Sequence, residues 1–184
     1  MVRIIGVTGY TGVGKTTFIQ FLRELTNYSS HSLSDAIRDE LEKEGKEVIR
    51  DNLIWMGNEL RKKKGHGVLA QKIVEKIGDN AIIDSIKNPE EVEELRNAFG
   101  ENFFLINLTS EMRSRFERTR KRNREKDPVK WEDFVKLEEA HSGVKGEHSQ
   151  RINDCELMAD FVIINDAGLG ELKSKARALV GFLQ

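Results

Sequence analysis

Gly9, Gly14, Lys15 and Thr16 fall in the stretch GYTGVGKTT, residues 9–17, at the spacing Gly-x4-Gly-Lys-Thr. Residues of these types so spaced suit one kind of chemistry. Glycines let successive backbone N–H groups turn inward around anionic oxygens, and the lysine adds a fixed positive charge there. A threonine hydroxyl beside them can join the coordination of Mg2+. The ligand that fits is a nucleoside triphosphate such as ATP. Gly9, Tyr10, Thr11, Gly12, Val13, Gly14, Lys15, Thr16 and Thr17 would cradle its phosphates, with Lys15 on the β- and γ-phosphates. A glycine-rich turn with a solvated lysine is the plainer alternative, and the flanking sequence speaks against it. Val2–Val7 is a short, apolar, β-branched run of the kind that makes a buried strand. Phe18, Ile19, Phe21, Leu22 and Leu25 then recur at helical spacing. A helix starting at the end of the loop brings its positive N-terminal end to the phosphates.

Further chemistry is expected at the ends of the other strands, where ligands sit in doubly wound sheets. Asp84 ends the apolar run AIID, and Lys87 follows three residues later. A carboxylate at the tip of a buried strand needs a partner, and here Mg2+, also held by Thr16, would be that partner. Asp35 and Arg38 stand in SLSDAIRDE, in the first turn of a helix that opens at Ser34-Asp35. An acid there also complements the helix dipole, so two roles stay open for Asp35. The run EMRSRFERTRKRNREKDP carries arginine at 113, 115, 118, 120, 122 and 124. Such a run is usually a solvated helix face. Phosphoryl transfer, however, needs cations over the γ-phosphate, and arginine binds phosphate through a planar fork. Two or three of Arg118, Arg120, Arg122 and Arg124 are expected to face the site. Gly143 and Gly146 would be flexible points on the return path of this lid.

These groups need a scaffold, and the chain is patterned for one. Val2–Val7, Ala81–Ile83, Phe103–Leu108 and Phe161–Ile164 are strand-like, with a weaker polar candidate at Tyr28–Leu33. They alternate with helical stretches, which favours an α/β fold with a parallel sheet between helices. Asn88-Pro89-Glu90-Glu91 marks a helix start, and Ser110-Glu111 opens another through Phe116. Residues 48–77 read as mostly helical with a break at KKKGHG. The 184 residues are 38% hydrophobic and 33% charged, with a net charge of −1, as in a single globular domain. Near-neutral charge argues against a general nucleic-acid or membrane-surface binder. A single cysteine excludes an internal disulfide and fits a reducing compartment. No apolar stretch is long enough to span a bilayer, and no secretory leader is apparent. The expectation is a cytoplasmic protein, monomer or homodimer.

With these residues in view, the chain resembles the P-loop nucleotide kinases, the nucleoside monophosphate kinase and dephospho-coenzyme A kinase group. GVTGYTGVGKTT is similar to their phosphate loop, SDAIRDE to the segment that holds the acceptor phosphate in adenylate kinases, and RFERTRKRNREKDP to their lid. MADFVIINDAGLGEL resembles the closing strand and loop of dephospho-coenzyme A kinases, where the adenine packs. The resemblance implies the P-loop NTPase fold: a five-stranded parallel sheet flanked by helices, an acceptor-binding helical insertion at about 34–77 and a lid at about 118–150. It implies ATP- and Mg2+-dependent phosphoryl transfer to a (deoxy)nucleoside monophosphate, with dephospho-coenzyme A as the alternative acceptor. Lys15, the lid arginines and Asp35 would serve catalysis. Asp35, Arg38, Arg50, Arg61 and Lys87 would hold the acceptor. Adenylate kinases read Asp-Gly-Phe-Pro-Arg where this chain reads Asp84-Ser85-Ile86-Lys87, so the clamp here would be a point charge. A reading from another class is a nucleotide-switch ATPase with no small-molecule acceptor.

Overall fold

The computed structural model of the protein describes residues 3–122, 128–141 and 150–183, without the side chains of residues 50, 51, 140 and 141. Its centre is β1 (Ile4–Thr8), whose Ile4, Ile5, Val7 and Thr8 are fully or almost fully buried. β3 (Ala81–Asp84) pairs with it on one side and β4 (Phe103–Thr109) on the other. β2 (Ser29–Ser32) and β5 (Phe161–Ile164) form the edges of a five-stranded, all-parallel sheet of order β2-β3-β1-β4-β5. β2 contains no aliphatic residue, so its pairing with β3 rather than apolar burial keeps it in the sheet.

Alternate residues of the central strands face opposite layers. Ile5, Val7, Ile82, Ile106 and Leu108 pack with α1 (Lys15–Thr26) and α9 (Leu169–Leu183) through Phe18, Leu22, Leu172 and Ala176. Ile4, Ala81, Ile83 and Leu105 face α2 (Leu33–Lys43), α3 (Arg50–Lys64), α4 (Val68–Val74) and α5 (Pro89–Phe99). Burying each large aliphatic side chain contributes roughly 1.5–3 kcal/mol against chain entropy. α6 (Met112–Arg122), α7 (Trp131–His141) and α8 (Ile152–Leu157) lie between β4 and β5 in the chain. Among the described residues no helix is long and apolar enough to cross a membrane.

Helix starts follow the sequence signals with one correction. α5 begins at Pro89 behind Asn88, and Glu91 accepts the Asn88 N–H at 3.2 Å. α2 begins at Leu33 with Ser32 as its cap, before the Ser34-Asp35 start read from the sequence. The reason is reciprocal capping. Ser32 Oγ accepts the Ser34 N–H at 3.3 Å, while the Asp35 carboxylate accepts the Ser32 N–H at 2.9 Å. The stretch expected to be helical with a break at KKKGHG forms α3 and α4 around Gly65 and Gly67.

Candidate active site

The loop between β1 and α1 is pressed from outside by two other parts of the chain. At Gly12, φ is +76°, and an added Cβ would lie 2.4 Å from the carbonyl oxygen of Arg115 in α6. At Gly14, φ is +102°, and a Cβ would lie 2.5 Å from Nδ2 of Asn165, just beyond β5. Any side chain at either position is both strained and obstructed. Val13 between them is fully buried, and its carbonyl accepts Asn165 Nδ2 at 2.8 Å. The loop is thereby anchored at its back, leaving its front to the cavity.

Lys15 folds over the loop. Its Nζ donates to Gly9 O at 2.5 Å and to Tyr10 O at 3.0 Å. Burial of the ammonium lowers its pKa from an ordinary 10.5 to about 8, against the opposing pull of the Asp84 carboxylate. A cation starved of solvation in this way is primed for an anion. The cavity before it has a volume of about 590 Å³. Its lining comprises Gly9, Thr11 to Thr17, Ser85, Lys87, Arg118, Thr119, Arg122 and Ile152.

A second cavity of about 260 Å³ adjoins the first and shares Thr11, Ser85 and Lys87 with it. Its apolar wall is Leu33, Ile37, Leu53, Ile54 and Leu69, and its polar groups include Ser34, Asn58, Arg61 and Gln150. The junction is strained. Ser85 has φ +67°, unusual for a residue other than glycine, and its N–H donates to Asp84 Oδ1 at 2.6 Å. Its hydroxyl meets that of Ser32 at 3.0 Å. Gln150 Oε1 is buried without a hydrogen-bond partner among the described residues.

The residues expected from the sequence divide into distinct groups. Thr16 is exposed at the start of α1 and lines the larger cavity, as does Thr17. Asp84 is half-buried at the tip of β3, near enough to Lys15 to oppose its loss of charge. Thr16 and Asp84 offer hard oxygen donors, the type Mg2+ takes together with phosphate oxygens. Among the described residues no cluster of three or more His, Cys, Asp or Glu would hold a metal by itself. Arg118 and Arg122 line the larger cavity. Arg118 donates to Asn165 O at 2.7 Å and to Ser110 Oγ at 3.1 Å. Arg120 is exposed and does not line it, because a step of two residues turns a side chain to the far face of a helix. Arg61 is buried, lines the smaller cavity and pairs with fully buried Glu91 at 3.4 Å. Lys87 borders both cavities.

Asp35 and Arg38 do not join them. They form an exposed pair at 2.7 Å and line neither cavity, with Asp35 occupied in capping α2. Tyr10 also lies outside the larger cavity. Its hydroxyl hydrogen-bonds Asn153 Oδ1 at 2.5 Å, and burial with the nearby Glu156 and Glu138 pushes it up to about 12. Arg124, Gly143, Gly146 and the side chain of Arg50 lie outside the described residues. So does much of the expected lid.

Sequence reading missed Asn165 and Arg115. Asn165 stands in the run MADFVIINDAGLGEL, but nothing in that run marks its contact with Val13 across 152 positions. Arg115 carried one. Residues 115, 118, 119 and 122 form a single i, i+3, i+4 stripe, and that periodicity separates the inward residues from Arg113 and Arg120.

Comparisons with known proteins agree with this geometry. An AAA domain family profile matches residues 5–154. A UPF0200 protein of Thermococcus kodakarensis is 31% identical over 186 residues, covering 96% of this chain and 96% of that protein. Among solved structures, a shikimate kinase from Bacteroides thetaiotaomicron superposes with a TM-score of 0.64 at 18% identity, covering 100% of this chain and 99% of the other. A gluconokinase from Sinorhizobium meliloti gives 0.60 at 16% identity, with coverages of 98% and 93%. The feature shared with these structures is a P-loop fold of the kinase type.

Proposed function

This chain belongs to the AAA domain family and to the UPF0200 proteins, and from that premise we propose that it is an ATP- and Mg2+-dependent kinase of a nucleotide-like small molecule. The acceptor we infer is a ribo- or deoxyribonucleoside monophosphate. The observation that supports this reading is the adjoining of two cavities of different chemistry at Thr11, Ser85 and Lys87. Phosphoryl transfer runs in line from donor to acceptor and requires such a junction.

Each residue then has a role. The loop N–H groups and Lys15 hold the β- and γ-phosphates of the donor. Arg118 and Arg122 stand on the cavity wall and neutralise charge as the phosphoryl group moves. Thr16 and Asp84 would hold Mg2+, which would supply positive charge to offset the negative charge of the phosphates. Lys87 at the junction attracts the acceptor phosphate, and the Leu33–Ile37–Leu53–Leu69 wall takes an apolar, flat portion. A monophosphate is already ionised near neutral pH, its second pKa being about 6, and needs no general base. That agrees with an Asp35 carboxylate committed to a helix cap. A switch ATPase would have no use for the smaller cavity.

The test is ADP release in a coupled assay with ATP and Mg2+, across nucleoside monophosphates, their deoxy forms and dephospho-coenzyme A. Turnover is expected to be negligible in ATP alone and to rise with a monophosphate. Acceptance of dephospho-coenzyme A alone would replace the monophosphate by a hydroxyl acceptor. Hydrolysis that ignores every acceptor would overturn the kinase reading.

A further inference from the structure

The guanidinium of Arg115 joins the phosphate loop to α7. Arg115 is 7% exposed. Its Nε donates to Ser110 O at 3.0 Å, and its Nη1 donates to Thr11 O in the loop at 3.3 Å. Nη1 also pairs closely with Glu138 of α7, which is 8% exposed. The guanidinium lies over the rings of Tyr10 in the loop, at 5.1 Å, and Phe134 in α7, at 5.7 Å. The backbone adds a contact, since the Arg115 carbonyl is the surface against which Gly12 is pressed. α7 is otherwise seated on α6 by the rings of Phe116, Trp131 and Phe134, whose centroids are 5.4 to 6.1 Å apart.

A planar cation with several donors can hold two elements in register in a way that a flexible ammonium cannot. The loop carbonyl at Thr11 and the α7 carboxylate share one nitrogen, so moving either changes the position of the other's partner. Glu138 is an expensive group to bury. Its carboxyl is raised by burial, is lowered by Arg115 and faces Lys15 and Glu156 as its other charged neighbours. Among the described residues its Oε1 has no hydrogen-bond partner. A buried carboxylate supported mainly by one arginine stays in place only while that arginine does.

We propose that Arg115 is a positioning residue that makes α7 and the phosphate loop one coupled unit: seated α7 orders the loop for nucleotide, and bound nucleotide holds α7. The inference rests on the nucleotide-binding reading above but needs no knowledge of the acceptor. Coupling of this kind is reciprocal, so either side can be measured.

The experiment is hydrogen exchange of peptides spanning 131–141 in the full chain, with and without saturating ADP, alongside ADP affinity by calorimetry. In the unaltered protein, ADP is expected to slow exchange in α7. In Arg115→Lys, ADP affinity is expected to fall about tenfold, and saturating ADP no longer protects α7. A merely structural role would lower stability in that variant but leave the ADP response intact. Glu138→Leu removes the α7 acceptor alone and keeps the Ser110 and Thr11 bonds, so it serves if Arg115→Lys does not fold. It too is expected to lose the response. Normal ADP protection of α7 in a folded variant overturns the proposal, as does an unaltered protein that binds ADP without protecting α7. An unaltered protein that binds no ADP overturns the nucleotide reading as well.

Discussion

The larger cavity takes most of its lining from one loop, Gly9 and Thr11 to Thr17, whereas the smaller takes its walls from α2, α3, α4, the β3–α5 turn and Gln150. The first presents backbone N–H groups, a lysine and a hydroxyl to whatever carries phosphates. The second presents side chains, with an ion pair beneath them. A site made of backbone needs glycines where other elements press close, and it tolerates change elsewhere. A site made of side chains changes its ligand whenever one of them changes. On the kinase reading proposed above, the larger cavity is the donor half and carries the general chemistry, and the smaller is the acceptor half and sets what the protein acts on.

Breaking the acceptor half should cost stability first. Arg61→Met leaves the fully buried Glu91 carboxylate without its cation. The expected loss is about 3–5 kcal/mol in denaturant unfolding, with part regained in the Arg61→Met/Glu91→Gln double variant. A loss below about 1 kcal/mol would mean that the wall does not depend on the pair.

The donor half should respond in the opposite sense. Lys15→Met is expected to lower phosphoryl transfer by two to three decades, about 3–4 kcal/mol, yet to raise the melting temperature of the nucleotide-free protein. The sign follows from linkage. The folded-state pKa of Lys15, about 8, lies below its ordinary 10.5, so the unfolded chain binds more protons between those values. The charged lysine is a burden on the fold below pH 8, and this burden lessens as pH rises from about 8 to 10.5. Nucleotide binding runs the other way, because phosphate needs the ammonium. Calorimetry at pH 7 and pH 9 should show affinity weakening by about tenfold, with proton uptake on binding at the higher pH. Equal affinities at both would separate Lys15 from the phosphate site.

A smaller effect should sharpen the boundary between the halves. Asn58 lines only the acceptor cavity. Asn58→Leu removes about one hydrogen bond, so the acceptor KM should rise roughly fivefold while the ATP KM stays within twofold. Parallel changes in both would mean that the cavities act as one. The smallest effects belong to the exposed pair. Arg38→Ala should change the acceptor KM less than about threefold. Asp35→Asn should cost at most about 1 kcal/mol of stability through the α2 cap. A large rise in KM from Arg38→Ala would bring the start of α2 into the acceptor site.

Most of the scaffold was legible because its signals are local. β1 lies within or beside its apolar run, offset toward Thr8, and β3 and β4 each continue one residue beyond theirs. Asn88-Pro89 starts α5 where a cap followed by proline should. The start of α2 was misplaced because serines at 32 and 34 are equivalent as types, and only the reach of Asp35 to Ser32 N decides between them. In the arginine run, charge alone did not separate Arg118 and Arg122 from Arg120. The direction of each side chain around α6 separates them.

By itself, then, the sequence determined the phosphate loop and the alternating α/β plan. Both arise from contiguous residues: a strand, a glycine turn and a helix place their own amides, whatever surrounds them. Tertiary structure alone decided what braces and completes the site. Asn165 reaches Val13 across 152 positions, and Glu91 meets Arg61 across 30. Arg115 joins Thr11 to Glu138. Such contacts depend on how whole elements rotate and pack against the sheet, and that packing is set by all the buried side chains together, so no single stretch of residues records it.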